Sequence, residues 1–553
     1  MVVPELRPWR AAGPHLVRAA NAVRPRLTRA ADAVRPHAVR AGAALRPRIA
    51  RLSGAVTPRL ARITWPKSVG TWQYTAGATA AGLVLATGAV LASGPWDATG
   101  QRTAERDWAA ARERTGGTDH GSGSGTTIAG PRPAPSAASV LTGLAGTGET
   151  GGTTDDVTSG ADGKTFGGVL GPLLADGALG TARGAVVVDV ATGRRLYGAG
   201  ADDALTPAST TKIATAVAAL SAMGADHRLT TGTVLEPGGK DLVLVGGGDP
   251  TLTAHRDAGG WASLRTLAER TAATLKKRGV TRVTLSYDTG LYTGPALHPI
   301  GVNDNLAPVS ALTADEGRTD DSSSGPAARV ADPAADAAAR FAGFLEADGV
   351  RTTSPVSGDA TGKATAVATV TSPPLSALVE RMLTHSDNDI AEALARQTAL
   401  ATGRPGSFSG GAAAIESQLR RIGLPLTGAR FNDGSGLNRA DRLTADLLTA
   451  LLVKAGATGH PELRPVLTGL PVAGFTGTLA ARYTGGSGGD GAAGVVRAKT
   501  GTLTGVNTLA GTVVDQDGRL LAFAFMASGT SSPTAAQSAL DRTATALAGC
   551  GCR

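Results

Sequence analysis

Cysteine is almost absent from this chain of 553 residues, because Cys550 and Cys552 are the only two and both stand within the last four positions. The body of the protein therefore has neither a disulfide framework nor the cysteine spacing of a zinc finger. A body without thiols is compatible with export from the cell. Pairing of the two cysteines with each other is an open alternative, although it would close a small, strained ring.

A net positive charge is also missing from most of the chain, although the formal net charge of the whole is +9. Residues 1–67 hold 14 Lys and Arg against Glu5 and Asp32, so this segment alone carries +12. The remainder holds 40 basic and 43 acidic residues and is slightly negative. The basicity therefore belongs to one tail and not to a binding face of a globular domain, and we expect no nucleic-acid partner.

The basic tail, residues 1–67, contains an 11-residue repeat over 10–64 with one proline in each unit. Proline at this spacing prevents one continuous helix. We interpret the segment as a solvated, largely disordered cytoplasmic tail. Docking of its basic residues on anionic lipid headgroups is the alternative, and DNA binding is a weaker third.

Residues 68–96 contain no charged side chain. Their apolar centre, 74–92, is long enough to cross a hydrocarbon core as a helix, and Trp72 and Trp96 stand where interfacial aromatic residues belong. The excess of Arg before the span predicts that the N-terminus lies inside and that everything after the span is extracytoplasmic. We predict a retained, single-pass cell-membrane anchor. The alternative is a signal peptide cleaved near Ala92, which would release the protein.

Residues 97–165 are rich in Gly, Ser, Thr and Pro, a composition typical of a flexible linker. Residues 166–553 have globular patterning, with short strand-like runs concentrated in a segment at about 232–365. The predicted class is α+β, an antiparallel sheet covered by helices, with this strand-rich segment as an inserted domain. The clearest predicted elements are strands over 185–190, 194–197, 241–245, 282–286, 507–514 and 520–528, and helices over 210–223, 375–384, 390–401 and 533–547.

Ser209 and Lys212 form a Ser-x-x-Lys pair at the start of the predicted helix 210–223. Residues three apart lie on one face of a helix, one turn from each other. A serine hydroxyl is a weak nucleophile, and lysine can act as its base only if its pKa is lowered by burial or by neighbouring cations. An isolated match of this kind is more often an N-cap serine followed by a surface lysine.

A second motif, Ser386-Asp387-Asn388, begins 177 residues after Ser209, between two predicted helices. The Ser386 hydroxyl can pass on a proton, and the Asn388 amide can hold a peptide group of a substrate. The alternative interpretation is helix capping, because Ser and Asn are favoured where a helix begins.

A third motif, Lys499-Thr500-Gly501-Thr502, follows a strand-like run. Lys499 supplies positive charge, and Thr500 supplies a hydroxyl for a substrate carboxylate. We expect Gly501 to let the substrate backbone approach closely. The alternative is a strand that merely ends at a glycine turn.

The three motifs together are far more specific than any one of them, because their order is the set typical of β-lactamases and penicillin-binding proteins. With 241–250, 432–437 and 474–479, they make the chain over about 180–548 resemble the penicillin-binding proteins of the D-Ala-D-Ala carboxypeptidase/endopeptidase type, in the low-molecular-mass class with a large insertion between the first two motifs. The resemblance implies a penicillin-recognising serine transpeptidase/β-lactamase-like fold. It also implies peptidoglycan stem peptides as substrates and β-lactams as covalent inhibitors.

The resemblance also implies a role for each motif residue. Ser209 attacks the carbonyl between two D-alanines, Lys212 is the general base, and Ser386 relays a proton to the leaving amine. Asn388 positions the substrate, and the backbone N–H groups of Ser209 and Thr502 form the oxyanion hole. Lys499 and Thr500 bind the terminal carboxylate. No cofactor or metal is needed for this chemistry, and the sequence suggests no ligand cluster for one.

Two other functions share these motifs. A class A β-lactamase places a water-activating Glu roughly three dozen residues after the second motif. The stretch 422–427 contains no carboxylate, which argues against that class. A membrane-anchored β-lactam or peptidoglycan sensor without turnover is the other alternative. Intact motifs give no indication of lost activity.

Overall fold

The computed structural model describes residues 165–484 and 490–552. The basic repeats at 1–67, the membrane span at 68–96 and the linker up to its last residue, Thr165, lie outside the described residues. Within the described ranges, no helix combines the length and the apolar character needed to cross a bilayer.

The central sheet has five antiparallel strands in the order β2-β1-β11-β10-β9. Val186 and Val188 of β1 face one hydrophobic core, and Ala185 and Val187 face a second one on the other side of the sheet. Side chains alternate between the faces of a strand, so this continuous apolar run is that of a strand covered on both sides. The strands are β1 (Ala182–Asp189), β2 (Arg195–Ala199), β9 (Arg497–Leu503), β10 (Val506–Val514) and β11 (Leu520–Ser528).

Helices cover both faces of this sheet. The helix Thr211–Met223 is the central one, since its first ten residues are all buried, and it ends at Gly224 with a φ of 85°. A helix buried all round belongs in the middle of a core. The helices of the body are α1 (Phe166–Leu174), α2 (Thr211–Met223), α5 (Leu375–His385), α6 (Asn388–Ala401), α7 (Phe408–Arg421), α8 (Ala445–Gly456), α9 (Arg464–Thr468) and α10 (Pro533–Ala548).

A second sheet lies between the first and second motifs in the chain and has its own hydrophobic core. Its order is β6-β5-β4-β3-β8, and β7 also pairs with β5. The helices α3 (Leu264–Lys277) and α4 (Pro333–Ala347), which the sequence analysis did not predict, supply much of that core. The strands are β3 (Thr230–Leu235), β4 (Asp241–Val245), β5 (Arg282–Asp288), β6 (Arg351–Thr352), β7 (Val356–Ser357) and β8 (Thr365–Thr371).

The predicted α+β class is confirmed: an antiparallel sheet is covered by helices, and a strand-rich region interrupts it. The predicted helices are confirmed to within two residues at each end, as is the hairpin of β10 and β11. Cys550 and Cys552 follow α10, are buried against the core that α10 covers, and are paired with each other.

Candidate active site

Ser209 lies in a single 3₁₀ turn, Ala208–Thr210, immediately before α2. Ala208 has a φ of 49°, an uncommon conformation for a residue with a side chain. Hydroxyl groups hold the turn in place, because Thr210 Oγ1 donates to Pro207 O at 2.6 Å and Thr508 Oγ1 donates to the same oxygen at 2.9 Å. One bond thus closes the turn and the other ties it to β10, and the turn presents Ser209 at a cleft.

Lys212 is fully buried, and its Nζ has three close partners. These are Ser209 Oγ at 3.1 Å, Asn388 Oδ1 at 2.7 Å and the Ser435 carbonyl at 2.8 Å. Burial lowers the pKa of Lys212 to about 8, and the carboxylates of Asp433 and Glu392 oppose that shift. A substantial fraction of the amine is therefore neutral near physiological pH.

The partners of Lys212 determine where the lone pair of the neutral amine points. The Ser435 carbonyl can only accept a hydrogen bond. Asn388 also presents its oxygen, because its Nδ2 donates to Asn305 O at 2.9 Å on the other side. These two acceptors use both N–H bonds of a neutral amine, so its lone pair is left to face the Ser209 hydroxyl. The geometry suits removal of the serine proton by Lys212.

The segment that carries Ser435 is anchored by two buried carboxylates. The N–H groups of Gly434 and Ser435 donate to Glu392 at 3.1 and 2.8 Å, and the Gly436 N–H donates to Asp433 at 2.7 Å. Gly436 has a φ of 80°, and a Cβ there would lie 1.9 Å from Ala208 O. In the sequence this stretch carries only a family resemblance, and no local pattern there predicts its contact with Lys212.

The second motif forms a tight connection between α5 and α6. Ser386 ends α5 in the left-handed conformation, with a φ of 59°, and Asp387 caps α6 by accepting from the Ile390 N–H. Lys499 Nζ donates to Ser386 Oγ at 2.8 Å and to Thr500 O at 2.7 Å. Lys499 is fully buried, and burial together with the positive charge of Lys212 lowers its pKa well below the usual value.

The third motif lies on β9, the edge strand of the central sheet. Thr500 and Thr502 line the same cleft as Ser209, Ser386 and Asn388, and the cleft encloses about 380 Å³. A Cβ at Gly501 would meet Pro207 O at 2.8 Å and Thr508 Oγ1 at 2.2 Å. Alternate residues of a strand face opposite sides, so the missing side chain of Gly501 makes room for the Ser209 turn, and the close approach of a substrate backbone stays a prediction.

The insertion closes one side of the cleft, which the sequence analysis did not foresee. Arg329 pairs with Asp389 at 3.0 Å, and Arg318 pairs with Glu316 at 2.8 Å. Both arginines line the cleft beside the second motif. Burial raises the pKa of Glu316, and the neighbouring carboxylates of Asp387 and Asp389 raise it further.

Two groups of three buried side chains in the described part of the chain bring potential metal-ligand atoms within 4.8 Å of one another, although the sequence had suggested no such cluster. They are Glu316, Asp387 and Asp389, and His298, Glu392 and Asp433. In the first group, Arg318 pairs with Glu316 and Arg329 pairs with Asp389. In the second group, every carboxylate oxygen already accepts a hydrogen bond from a peptide N–H group or from His298.

Comparison with known proteins identifies the family. A model of the D-Ala-D-Ala carboxypeptidase 3 (S13) family matches residues 169–324 and 319–547. The chain is 38% identical over 391 residues to a carboxypeptidase DacB of Mycolicibacterium smegmatis, covering 69% of this chain and 84% of that protein. It is 32% identical over 450 residues to a D-alanyl-D-alanine carboxypeptidase of an Actinomadura species, covering 65% and 80% of the two chains.

A solved structure shares the fold. Penicillin binding protein 4 of Haemophilus influenzae superposes with a TM-score of 0.56 and 23% identity, covering 68% of this chain and 97% of that one. At this identity the likeness concerns the fold alone. It accords with the α+β sheet and its covering helices.

Proposed function

Because the chain belongs to the D-Ala-D-Ala carboxypeptidase 3 (S13) family, we propose that Ser209 is the nucleophile with which it acts on peptidoglycan stem peptides. The protein is a serine-type D-Ala-D-Ala carboxypeptidase. One observation carries the assignment of the nucleophile. The buried amine of Lys212 lies 3.1 Å from Ser209 Oγ, and its two other hydrogen bonds are donated to Asn388 Oδ1 and the Ser435 carbonyl.

Acylation begins when neutral Lys212 removes the proton of Ser209 as Oγ attacks the carbonyl between the two D-alanines. The backbone N–H groups of Ser209 and Thr502 stabilise the oxyanion, a contribution of about 2.7–4 kcal/mol for each donor. The C–N bond then breaks, and the leaving amine takes the proton that Lys212 removed, relayed through Ser386, so Lys212 becomes neutral again. Water afterwards attacks the ester, releases the shortened peptide and returns the proton to Ser209.

Asn388 has two tasks in this proposal. Its Oδ1 accepts from Lys212, and its Nδ2 donates to Asn305 O, so its side chain is fixed in orientation before substrate binds. A fixed amide beside the cleft positions the substrate's peptide group without a further loss of side-chain entropy.

Recognition of the terminal carboxylate falls to Thr500 and Lys499. Thr500 Oγ1 lines the cleft and donates to Thr478 Oγ1 at 2.8 Å, and it can donate to a substrate carboxylate once its O–H turns from Thr478 into the cleft. Lys499 is buried beneath Thr500, and its Nζ donates to the Thr500 carbonyl. A bound carboxylate raises the lowered pKa of Lys499, so substrate binding and protonation of this lysine favour each other.

β-Lactams enter the same cleft and acylate Ser209, because they carry a reactive carbonyl and a carboxylate. The test combines labelling by a fluorescent penicillin with release of D-alanine from a wall pentapeptide. A stable label with D-alanine release supports the proposal. A label lost within seconds would indicate a β-lactamase, and a stable label without turnover would indicate a sensor.

The carboxypeptidase works outside the cytoplasm in this proposal, held at the membrane by residues 68–96 and separated from it by the linker 97–165. The tail 1–67 remains inside, where its basic residues can meet anionic lipid. Protease added to intact, wall-stripped cells should remove the catalytic body and leave a membrane-embedded fragment that carries the repeats. Mature protein that begins near Ser93 and is free in the medium would replace the anchor by a cleaved signal peptide.

A further inference from the structure

One histidine of the insertion extends into the catalytic body. His298 follows β5 in the chain, and its side chain is only 1% exposed. Its ring packs edge-on against Phe408, with ring centroids 5.2 Å apart and an interplanar angle of 83°. Its Nε2 lies 2.9 Å from Oδ2 of Asp433, a carboxylate of the segment that carries Ser435. A buried side chain held by both packing and a hydrogen bond has one orientation.

The protonation of His298 follows from its other nitrogen. The Ile300 N–H donates to Nδ1 at 3.2 Å, and a peptide N–H has no lone pair with which to accept. Nδ1 therefore carries no proton, and the proton of the neutral ring is on Nε2. The hydrogen bond runs from Nε2–H to the Asp433 carboxylate.

Asp433 connects His298 with the active site, because it also holds the loop that carries Ser435. Its Oδ1 accepts from the Gly436 N–H at 2.7 Å, and its Oδ2 accepts from the Asn438 N–H at 2.7 Å. These bonds fix the loop 433–438 on both sides of the Ser435 carbonyl, which accepts from Lys212 Nζ at 2.8 Å. Two hydrogen bonds and a short piece of backbone thus connect His298 with the amine of Lys212.

Asp433 also acts on Lys212 by its charge. Burial lowers the pKa of Lys212, whereas Asp433 and, after it, Glu392, Asp387 and Asp389 raise it. Lys499 faces the same amine with a positive charge whenever it is protonated.

Neighbouring groups keep Asp433 ionised. Burial would raise the pKa of Asp433, but hydrogen bonds from His298, Asp441 and the Gly436 N–H hold it below its usual value. Burial and the neighbouring charge of Asp433 raise the pKa of Asp441 to about 9, so Asp441 holds a proton while Asp433 stays charged.

From this chain of contacts we infer that His298 is a positioning residue for the general base: it fixes Asp433, and through the loop 433–438 it aims the Ser435 carbonyl at Lys212. The inference rests on the proposed role of Lys212. It gives the insertion a part in the acylation step, because the insertion supplies the histidine. His298 does not line the cleft, so it acts through Lys212 and not on the substrate.

Three substitutions of His298 test the inference through the second-order rate of acylation by a fluorescent penicillin. His298→Ala removes the donor, and a misplaced base should slow acylation by about 100-fold. In His298→Gln the amide nitrogen can reach the position of Nε2, so most of the rate should return. In His298→Asn the amide reaches only the position of Nδ1, and the rate should stay as low as in His298→Ala.

The pH profile separates positioning from a general loss of folded protein. Wild-type acylation should rise as the pH increases through about 8, where Lys212 loses its proton. Without the donor on His298, the pKa of Asp433 should rise, and as Asp433 gains a proton more readily the pKa of Lys212 should fall, so this rise of the rate should move to lower pH. A merely structural role would lower the rate by one factor at every pH. His255→Ala changes a half-buried histidine of the same insertion that does not line the cleft, so it is the control and should match wild type.

Two outcomes would overturn the inference, and both differ from failure of the proposed function. A His298→Ala rate within twofold of wild type at all pH values would show that His298 does not position the base. Equal losses in the Gln and Asn variants, with an unmoved pH profile, would show that the histidine serves only packing. If instead Lys212→Ala acylates as fast as wild type, the proposed base itself is wrong.

Discussion

Lys212 and Lys499 are both fully buried lysines, and each bonds to one serine of the cleft, yet their electrostatic surroundings differ. Carboxylates oppose the effect of burial at Lys212 and leave its pKa at about 8. At Lys499, burial and the charge of Lys212 both lower the pKa, and no described carboxylate offsets them. Burial alone therefore does not define the pKa of a lysine, because the neighbouring charges either oppose or add to the effect of burial.

This difference suggests a division of labour between the two lysines. Lys212 is poised to exchange a proton with Ser209 because its pKa lies close to the working pH. Lys499 gains its charge most readily when an anion occupies the cleft, since an opposite charge nearby favours the protonated form. The first lysine would serve the chemical step, and the second would serve recognition of the carboxylate.

The strongest test of this difference removes the base. Lys212→Ala should lower the rate of acylation by several orders of magnitude, because an unassisted serine hydroxyl is a weak nucleophile. Lys277→Ala, on the exposed surface of α3, is the matched control and should leave the rate unchanged. The rate of fluorescent penicillin labelling measures both. A Lys212→Ala rate within tenfold of wild type would mean that another group is the base.

Removing the second lysine should have a smaller and more selective effect. Lys499→Ala should lower kcat/KM for substrates with a free terminal carboxylate by about 10- to 100-fold, the range expected for the loss of a hydrogen bond to a charged group. Substrates whose terminus is amidated should be affected less. The measurement is kcat/KM for the matched pair of peptides. An equal loss of kcat/KM for both peptides would show that Lys499 does not recognise the terminal carboxylate.

The smallest effect is expected from a substitution that changes the surroundings of Lys212 and leaves the lysine itself in place. Glu392→Gln removes a carboxylate that raises the pKa of Lys212, so that pKa should fall. A lower pKa means that the neutral base persists to lower pH. The rise of the acylation rate with pH should therefore move downward from about 8, by up to about one unit. A pH profile that does not move, or that moves upward, would show that Glu392 does not raise the pKa of Lys212.

The sequence was sufficient for the local parts of this site and insufficient for the distant ones. Ser209 and Lys212 are three residues apart on a helix, so their contact follows from helix geometry. The partners that orient Lys212 are 176 and 223 residues away in the chain, at Asn388 and Ser435. A motif can name Asn388 as a candidate, but no spacing rule reveals that a backbone carbonyl at Ser435 completes the set.

Gly501 shows what a motif leaves open about the direction of a side-chain position. The glycine was expected to admit a substrate backbone, and a Cβ there would lie against Pro207 and Thr508 inside the protein. The direction depends on which face of β9 borders the cleft, and that is set by tertiary packing. His298 and Glu392 were missed for a related reason, since their functional contacts are made in the folded core and leave no local pattern.

The central claim, that Ser209 is the acylated nucleophile, is tested most directly by locating the penicillin adduct. The protein is labelled to completion and digested, and the modified peptide is sequenced by mass spectrometry. We expect one adduct per chain, attached to Ser209 and absent from Ser209→Ala, which should fold normally. An adduct on any other residue, or full labelling of Ser209→Ala, would contradict it.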